Sequence, residues 1–195
     1  MQFCDEQDFG FGWIEDDFQQ RVSHALLVED GVWLVDPLAW PEAESRVSEH
    51  GVPRGVIQLL DRHNRDAQEL AGRLGVPHLR VPLQRVEGSP FELIPLVARL
   101  WQEAALWWPA RRVLVCADAV GTAPYFRAPK EPLGVHPLLR FAPPKRLRLV
   151  HPLHILCGLG EGVHGEDAAP LLHEALRTAR RRLPAAWLNG IRKAR

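Results

Sequence analysis

Leu59-Leu60-Asp61-Arg62-His63-Asn64-Arg65-Asp66-Ala67-Gln68-Glu69-Leu70 is the junction between two different hydrophobic patterns. Val56 to Leu60 (VIQLL) is a short apolar run of the kind that forms a strand buried on both faces. Beyond the junction, Ala67, Leu70, Ala71 and Leu74 recur at helical spacing, with Gly75 as the stop. Asp66 stands where an N-cap belongs, because its short carboxylate can accept the free amides of a first helical turn.

Upstream, His24 to Glu29 (HALLVE) and Val32 to Asp36 (VWLVD) read as two strands. Asp30-Gly31 between them predicts a two-residue hairpin turn, since both residues tolerate positive φ. Pro37 and Pro41 end the second strand, and a short helix over about Glu42 to His50 stops at Gly51. Downstream, Val76 to Val81 predicts another strand, whereas Glu92 to Trp101 fits neither period because Pro95 interrupts it. Ala104 to Trp108 and Arg112 to Ala117 are strand-like, joined by a proline-containing turn. Residues 121 to 144 carry eight Gly and Pro residues and predict an ordered loop or lid with a helical piece after Pro137. Leu153 to Cys157 is a short strand leading into GLGEG, and the last helix runs from about Asp167 to Arg182.

The chain has 195 residues, enough for one domain with a continuous core, and 46% of them are hydrophobic. Its 24 basic and 24 acidic residues cancel, so no global field points to nucleic acid or to a membrane. Charge is nevertheless uneven: residues 1–20 form an acidic segment, and residues 183–195 a basic tail that continues the cations from Arg177. Phosphate binding by that tail is the weaker expectation; its pairing with the acidic segment, within one chain or across a homodimer, is as good a reading. Cys4, Cys116 and Cys157 make an odd number without CxxC spacing, which fits a reduced, cytoplasmic setting. The N-terminus lacks a basic n-region, and no apolar run approaches the length of a membrane span.

The order hairpin, VDP turn, short helix, buried strand and aspartate-capped helix, followed by VCADA and ILCGLGEGV, resembles the metallo-β-lactamase fold from about His24 to Arg182. That resemblance implies an α+β fold, a four-layer αββα sandwich with metals at one edge, spanning residues 1–195 as a single domain. On it, HALLVEDGVWLVDP looks like the opening hairpin, Asp36 matches the aspartate that ends its second strand, and Asp118 takes the place of a metal-bridging aspartate. LLDRHNRDAQEL falls where the family carries Thr-His-x-His-x-Asp-His, and Asp66 fixes the register. Arg62, Asn64 and Ala67 then occupy three histidine positions. Leu159 stands between Gly158 and Gly160 in place of a fourth, and Arg99 falls near the fifth. Asp66 and Asp118 alone cannot close a zinc site, which takes at least three protein ligands. Arginine, always protonated, would repel a metal.

These departures lead to an expectation of no metal, no cofactor and no catalytic residue. The fold would instead serve a non-catalytic pseudoenzyme that binds a small anionic ligand or a protein partner. Arg62, His63, Asp66, Arg99 and Asp118 are the candidate ligand-binding residues; the plainer reading is that the arginines only neutralise the aspartates. The alternative is a hydrolase of esters or thioesters with an altered mononuclear metal site drawn from His63, Asp118, His151 and His154. Cys116, two residues before Asp118, is a candidate nucleophile if a base lies near, and otherwise a small buried hydrophobe. Trp101, Trp107 and Trp108 read as core or subunit contacts.

Overall fold

The computed structural model describes residues 1–63, 65–82, 85–98 and 101–193. Six strands form the first sheet in chain order: β1 (Gln2–Gln7), β2 (Gly10–Ile14), β3 (Val22–Val28), β4 (Gly31–Val35), β5 (Pro53–Gln58) and β6 (His78–Arg80). The first four run antiparallel; α1 (Pro41–His50) and α2 (Ala67–Leu74) then serve as crossovers that make β5 and β6 parallel to β4. The second sheet contains β7 (Glu92–Ala98), β8 (Trp101–Trp108) and β9 (Val113–Cys116), beside the short ribbon pair β10 (Val120–Gly121) and β11 (Gly134–Val135). It is completed by β12 (His154–Cys157) and β13 (Val163–His164), in the spatial order β13-β12-β9-β8-β7. The chain ends in α3 (Ala168–Lys193).

Alternation along the strands decides the layering. Leu26, Trp33 and Ile57 of the first sheet join Phe91, Leu106 and Trp108 in one buried cluster between the sheets. On the other face of the first sheet, Phe11, Leu34 and Val56 pack against Ala43 and Val47 of α1 and Ala67 and Ala71 of α2. Leu172, Leu176 and Ala179 of α3 are buried in the same cluster as the second sheet. The result is the αββα arrangement. Gly55 is required by close approach: a Cβ there would stand 2.4 Å from Cζ3 of Trp33, its cross-strand neighbour.

Several elements differ from the sequence expectation, each for a physical reason. Val28 pairs with Gly31, so the hairpin turns on Glu29 and Asp30, and Gly31 opens β4 at φ +142°. The acidic segment 1–20 contains a hairpin, β1–β2, whose Phe9, Phe11 and Trp13 are buried while Glu6 and Asp8 lie outside and Asp5 turns inward. Glu92–Ala98 is an edge strand, where Pro95 deprives no neighbour of a ladder bond. The basic tail is not a tail. α3 continues through Pro184 to Lys193, held by buried Ala186 and by Asn189, whose Nδ2 donates to the carbonyls of Pro124 at 2.7 Å and Arg127 at 2.8 Å. Among the described residues no ion pair joins the N-terminal acids to it: Glu6, Asp8 and Glu15 meet Arg46, Arg111 and Arg21.

The segment 121–144 is pinned from within. Arg140 is wholly buried and makes a bidentate pair with Glu131, Nη2 to Oε2 at 2.6 Å and Nη1 to Oε1 at 3.2 Å. Glu131 also accepts from the Ala128 amide at 2.8 Å. Removing one partner of such a pair strands a charge where water cannot reach it. Arg140→Leu is therefore expected to lower the unfolding free energy by about 3–5 kcal/mol in urea titration, far more than an exposed arginine such as Arg54 would.

Candidate functional site

One edge of the sandwich collects the ends of β4, β5, β9 and β12, and each strand delivers a polar group there. Beyond β4, Asp36 adopts φ +45°, a left-handed conformation that aspartate tolerates better than most residues. Its Oδ1 accepts from the Leu59 amide at 3.1 Å, and Oδ2 points to the space beyond β5. After β5 the chain turns tightly, with the His63 amide donating to Leu60 O and that of Arg65 to His63 O. That turn delivers the His63 ring between two carboxylates. Nε2 lies 2.9 Å from Asp118 Oδ1, and Nδ1 lies 3.4 Å from Asp36 Oδ2.

Arg65 fills the next position. Its guanidinium donates to Asp36 O at 2.9 Å, to Gly158 O at 3.0 Å and to Val22 O, so one side chain ties β3, β4 and the end of β12. Beneath Asp118 lies Glu103, wholly buried on β8. Its carboxylate accepts from the Trp101 indole at 2.9 Å and from the amides of Ala119 at 3.2 Å and Asp118 at 3.3 Å. Outside these, Arg62 lies over the Trp101 ring at 4.8 Å, and the His136 ring meets the same indole at 4.6 Å.

Charge states follow from this packing. Burial works against a protonated His63, but Asp36 and Asp118 outweigh it and lift its pKa to about 9. Burial likewise opposes ionised Asp118, yet the hydrogen bond and charge of His63 bring it below the usual carboxylate range. Glu103 goes the other way, raised to about 7 by burial and then by the neighbouring Asp118 charge. His136 is pushed down to about 4, chiefly by burial, and Tyr125 up to about 12 by burial and Asp118. The site thus holds an imidazolium between two aspartates.

Of the candidate residues, the structure brings His63 and Asp118 together and sets Arg62 at the mouth beside Trp101. Asp66 points elsewhere: no side-chain cap forms, and its Oδ2 instead accepts from the Ala39 amide at 2.7 Å. Arg99 and Asn64 lie outside the described residues. His154 pairs with Val113 at the far end of β12 and β9, and its Nδ1 lies 3.1 Å from that of His164. His164 in turn meets buried Asp5 at 3.0 Å, and exposed His151 packs edge-on against His173. His151 and His154 therefore do not join His63 and Asp118. Cys116 is wholly buried, and burial drives its thiol pKa well up, so it has no thiolate to offer. In the sequence Asp36 stands out only as a strand end, and Arg65 carries no signal. Glu103 had one: a lone carboxylate inside an apolar strand.

Among the described residues, those gathered at this edge do not fit a metal centre. Ala67 is buried under the first sheet and Leu159 packs with Ala123 and Phe126, so neither position offers a donor. Both His63 nitrogens face carboxylates, and the adjacent cation is a guanidinium. Among the described residues no group of three or more His, Cys, Asp or Glu side chains is arranged to hold an ion.

Two facing sheets, helices on both outer sides and polar groups gathered at one edge define a class of sandwich. The chain has the metallo-β-lactamase fold. It is similar to a metallo-β-lactamase from Pontibacter korlensis, with 7% identity over 90% of this chain and 98% of that one, TM-score 0.61. It is also similar to TTHA1623 in a di-iron-bound form, with 17% identity, 81% and 96% coverage and TM-score 0.60. The flavodiiron protein from Giardia intestinalis gives 13% identity, TM-score 0.63, and 93% coverage of this chain against 60% of that one. No family model matches the sequence. No curated protein matches it either.

The imidazolium makes stability depend on pH in a defined direction. Because its folded pKa is raised from 6.5 to about 9, His63 contributes fully below about 6.5 and that contribution disappears as pH rises through 9. Urea midpoints of the wild type should therefore fall between about pH 7 and 10. His63→Gln should be less stable at pH 6 and should lose most of that slope.

Proposed function

We propose that this chain is a non-catalytic protein of metallo-β-lactamase fold that binds a small anionic ligand at the mouth of its strand-end site. The observation that carries the reading is the His63 imidazole, which takes up the space between Asp36 and Asp118 where a cation is required. With the two carboxylates satisfied by a side chain, nothing in the site calls for a metal to balance them, and no activated water would follow. What remains to recognise a ligand is the rim. Arg62, stacked over Trp101 and paired through Nε with Asp61 at 3.4 Å, presents a planar guanidinium on a flat apolar support, a combination suited to carboxylate or phosphate groups. His136 packs against the same indole and stands neutral; its Nδ1 accepts from the Leu138 amide at 3.2 Å, so Nε2 carries the proton and can donate without adding charge.

The test uses the full chain with inorganic phosphate and acetate as probes. Binding is read from the Trp101 indole resonance, and metal content by plasma mass spectrometry before and after zinc addition. Expected are metal well below one equivalent, no hydrolysis of p-nitrophenyl acetate above background, and saturable probe binding that Arg62→Ala weakens by about tenfold. About one equivalent of firmly held metal, with ester hydrolysis that Asp118→Ala abolishes, would sink the proposal in favour of a hydrolase. Absence of probe binding, or binding indifferent to Arg62→Ala, would remove the ligand site.

A further inference from the structure

The formal charge is zero, but the fold does not distribute it evenly. From Pro132 to Gly160 the sequence contains no aspartate or glutamate, and after Glu174 there is none to the end. These two acid-free stretches lie side by side. Arg180 Nε donates to Phe141 O at 2.8 Å, Arg148 to Leu176 O at 3.3 Å, and the His173 ring meets Val150 O at 3.2 Å. Lys145, Arg146, Arg148, Arg180 and Arg181 are all exposed there.

The same two stretches carry most of the molecule's exposed large apolar side chains. Leu138 is 61% exposed, Phe141 61%, Leu149 80%, Trp187 51%, Leu188 59% and Ile191 57%, whereas only Met1, Phe18 and Val52 stand out elsewhere among the described residues. Trp187 and Ile191 follow Arg180 at seven and eleven residues, so they share the side of α3 that meets Phe141. Leucines and isoleucine held in water beside arginines are costly unless a surface covers them.

The chemistry of the face selects its occupant. Nucleic acid would use the cations and the rings of Phe141 and Trp187 but gives nothing to Leu138, Leu149, Leu188 or Ile191. A second copy would have to set acids against these cations, and Glu6, Asp8 and Glu15 of the acidic hairpin are already engaged by Arg46, Arg111 and Arg21, which leaves that hairpin a poor counterpart. A bilayer with anionic headgroups accepts both kinds of group at once: aliphatic and aromatic side chains at the headgroup–acyl boundary, guanidinium and ammonium groups over the lipid phosphates. We propose that the face built from residues 137–149 and the C-terminal half of α3 docks the protein peripherally on an anionic lipid surface. Docking of this kind needs no spanning segment, and none of the described helices is long and apolar enough to be one.

Co-sedimentation of the full chain with phosphatidylcholine vesicles, with or without one quarter phosphatidylserine, tests this. Binding is expected only to the mixed vesicles, weakening as salt rises. Phe141→Ser with Leu149→Ser, and separately Lys145→Glu with Arg146→Glu, should each reduce the bound fraction by at least about tenfold. All four side chains are exposed, so thermal melting of both variants should match the parent. No sedimentation with the mixed vesicles overturns the proposal. So does sedimentation unchanged by the serine substitutions, which would mark attraction by charge alone. A dimer that the serine substitutions dissociate, found by analytical ultracentrifugation, would assign the face to a second copy instead.

Discussion

Asp36 and Asp118 arrive at the same edge from different strands, and neither has room to leave. β4 directs the first and β9 the second, so the fold brings two carboxylates together whatever the chain does with them. Two such charges with little water between them require a cation. His63 meets that requirement with one ring nitrogen toward each. The local turn from Leu60 to Arg65 can then be understood as the means of placing that ring, and Glu103 as the clamp that keeps Asp118 from swinging out.

Around this centre the two sheets are joined by polar groups as well as by the apolar core. Arg65 gathers carbonyls from β3, β4 and the end of β12, so it spans the sandwich at its open edge. On another strand edge, buried Asp5 of β1 accepts from the Gly162 amide at 2.8 Å and meets His164 of β13 at 3.0 Å. Burial alone would raise the Asp5 pKa, but the hydrogen bond with His164 and the His24 ring 3.4 Å away keep it well below the ordinary range. Each connection is short, directional and shielded from water, and therefore specifies how the sheets register where dispersion forces would tolerate sliding.

Much of the layer order was legible because it rests on period. VIQLL, HALLV and VWLV announce buried strands, and AQELAGRL announces an amphipathic helix. What escaped was what tertiary contacts decide. The first hairpin hides its Phe9, Phe11 and Trp13 among acids, Pro95 masks an edge strand, and Pro184 with its surrounding arginines disguises eleven further residues of α3. The site was half legible for a similar reason. His63 and Asp118 stand at strand ends that the pattern locates, whereas Asp66, a site candidate by its position before a helix, is engaged by the Ala39 amide. Arg65, facing only backbone carbonyls, has no partner residue by which a sequence could betray it.

The pairing of Asn189 with the carbonyls of Pro124 and Arg127 changes what the last two turns of α3 are. They act as a buttress for the loop that carries Tyr125 and Phe126 beside the site, the latter packed against His136. Trimming the chain after Leu183 would take away that support along with the charge. A shortened protein would then differ from the whole one at the rim of the strand-end site, far along the chain from where the cut was made.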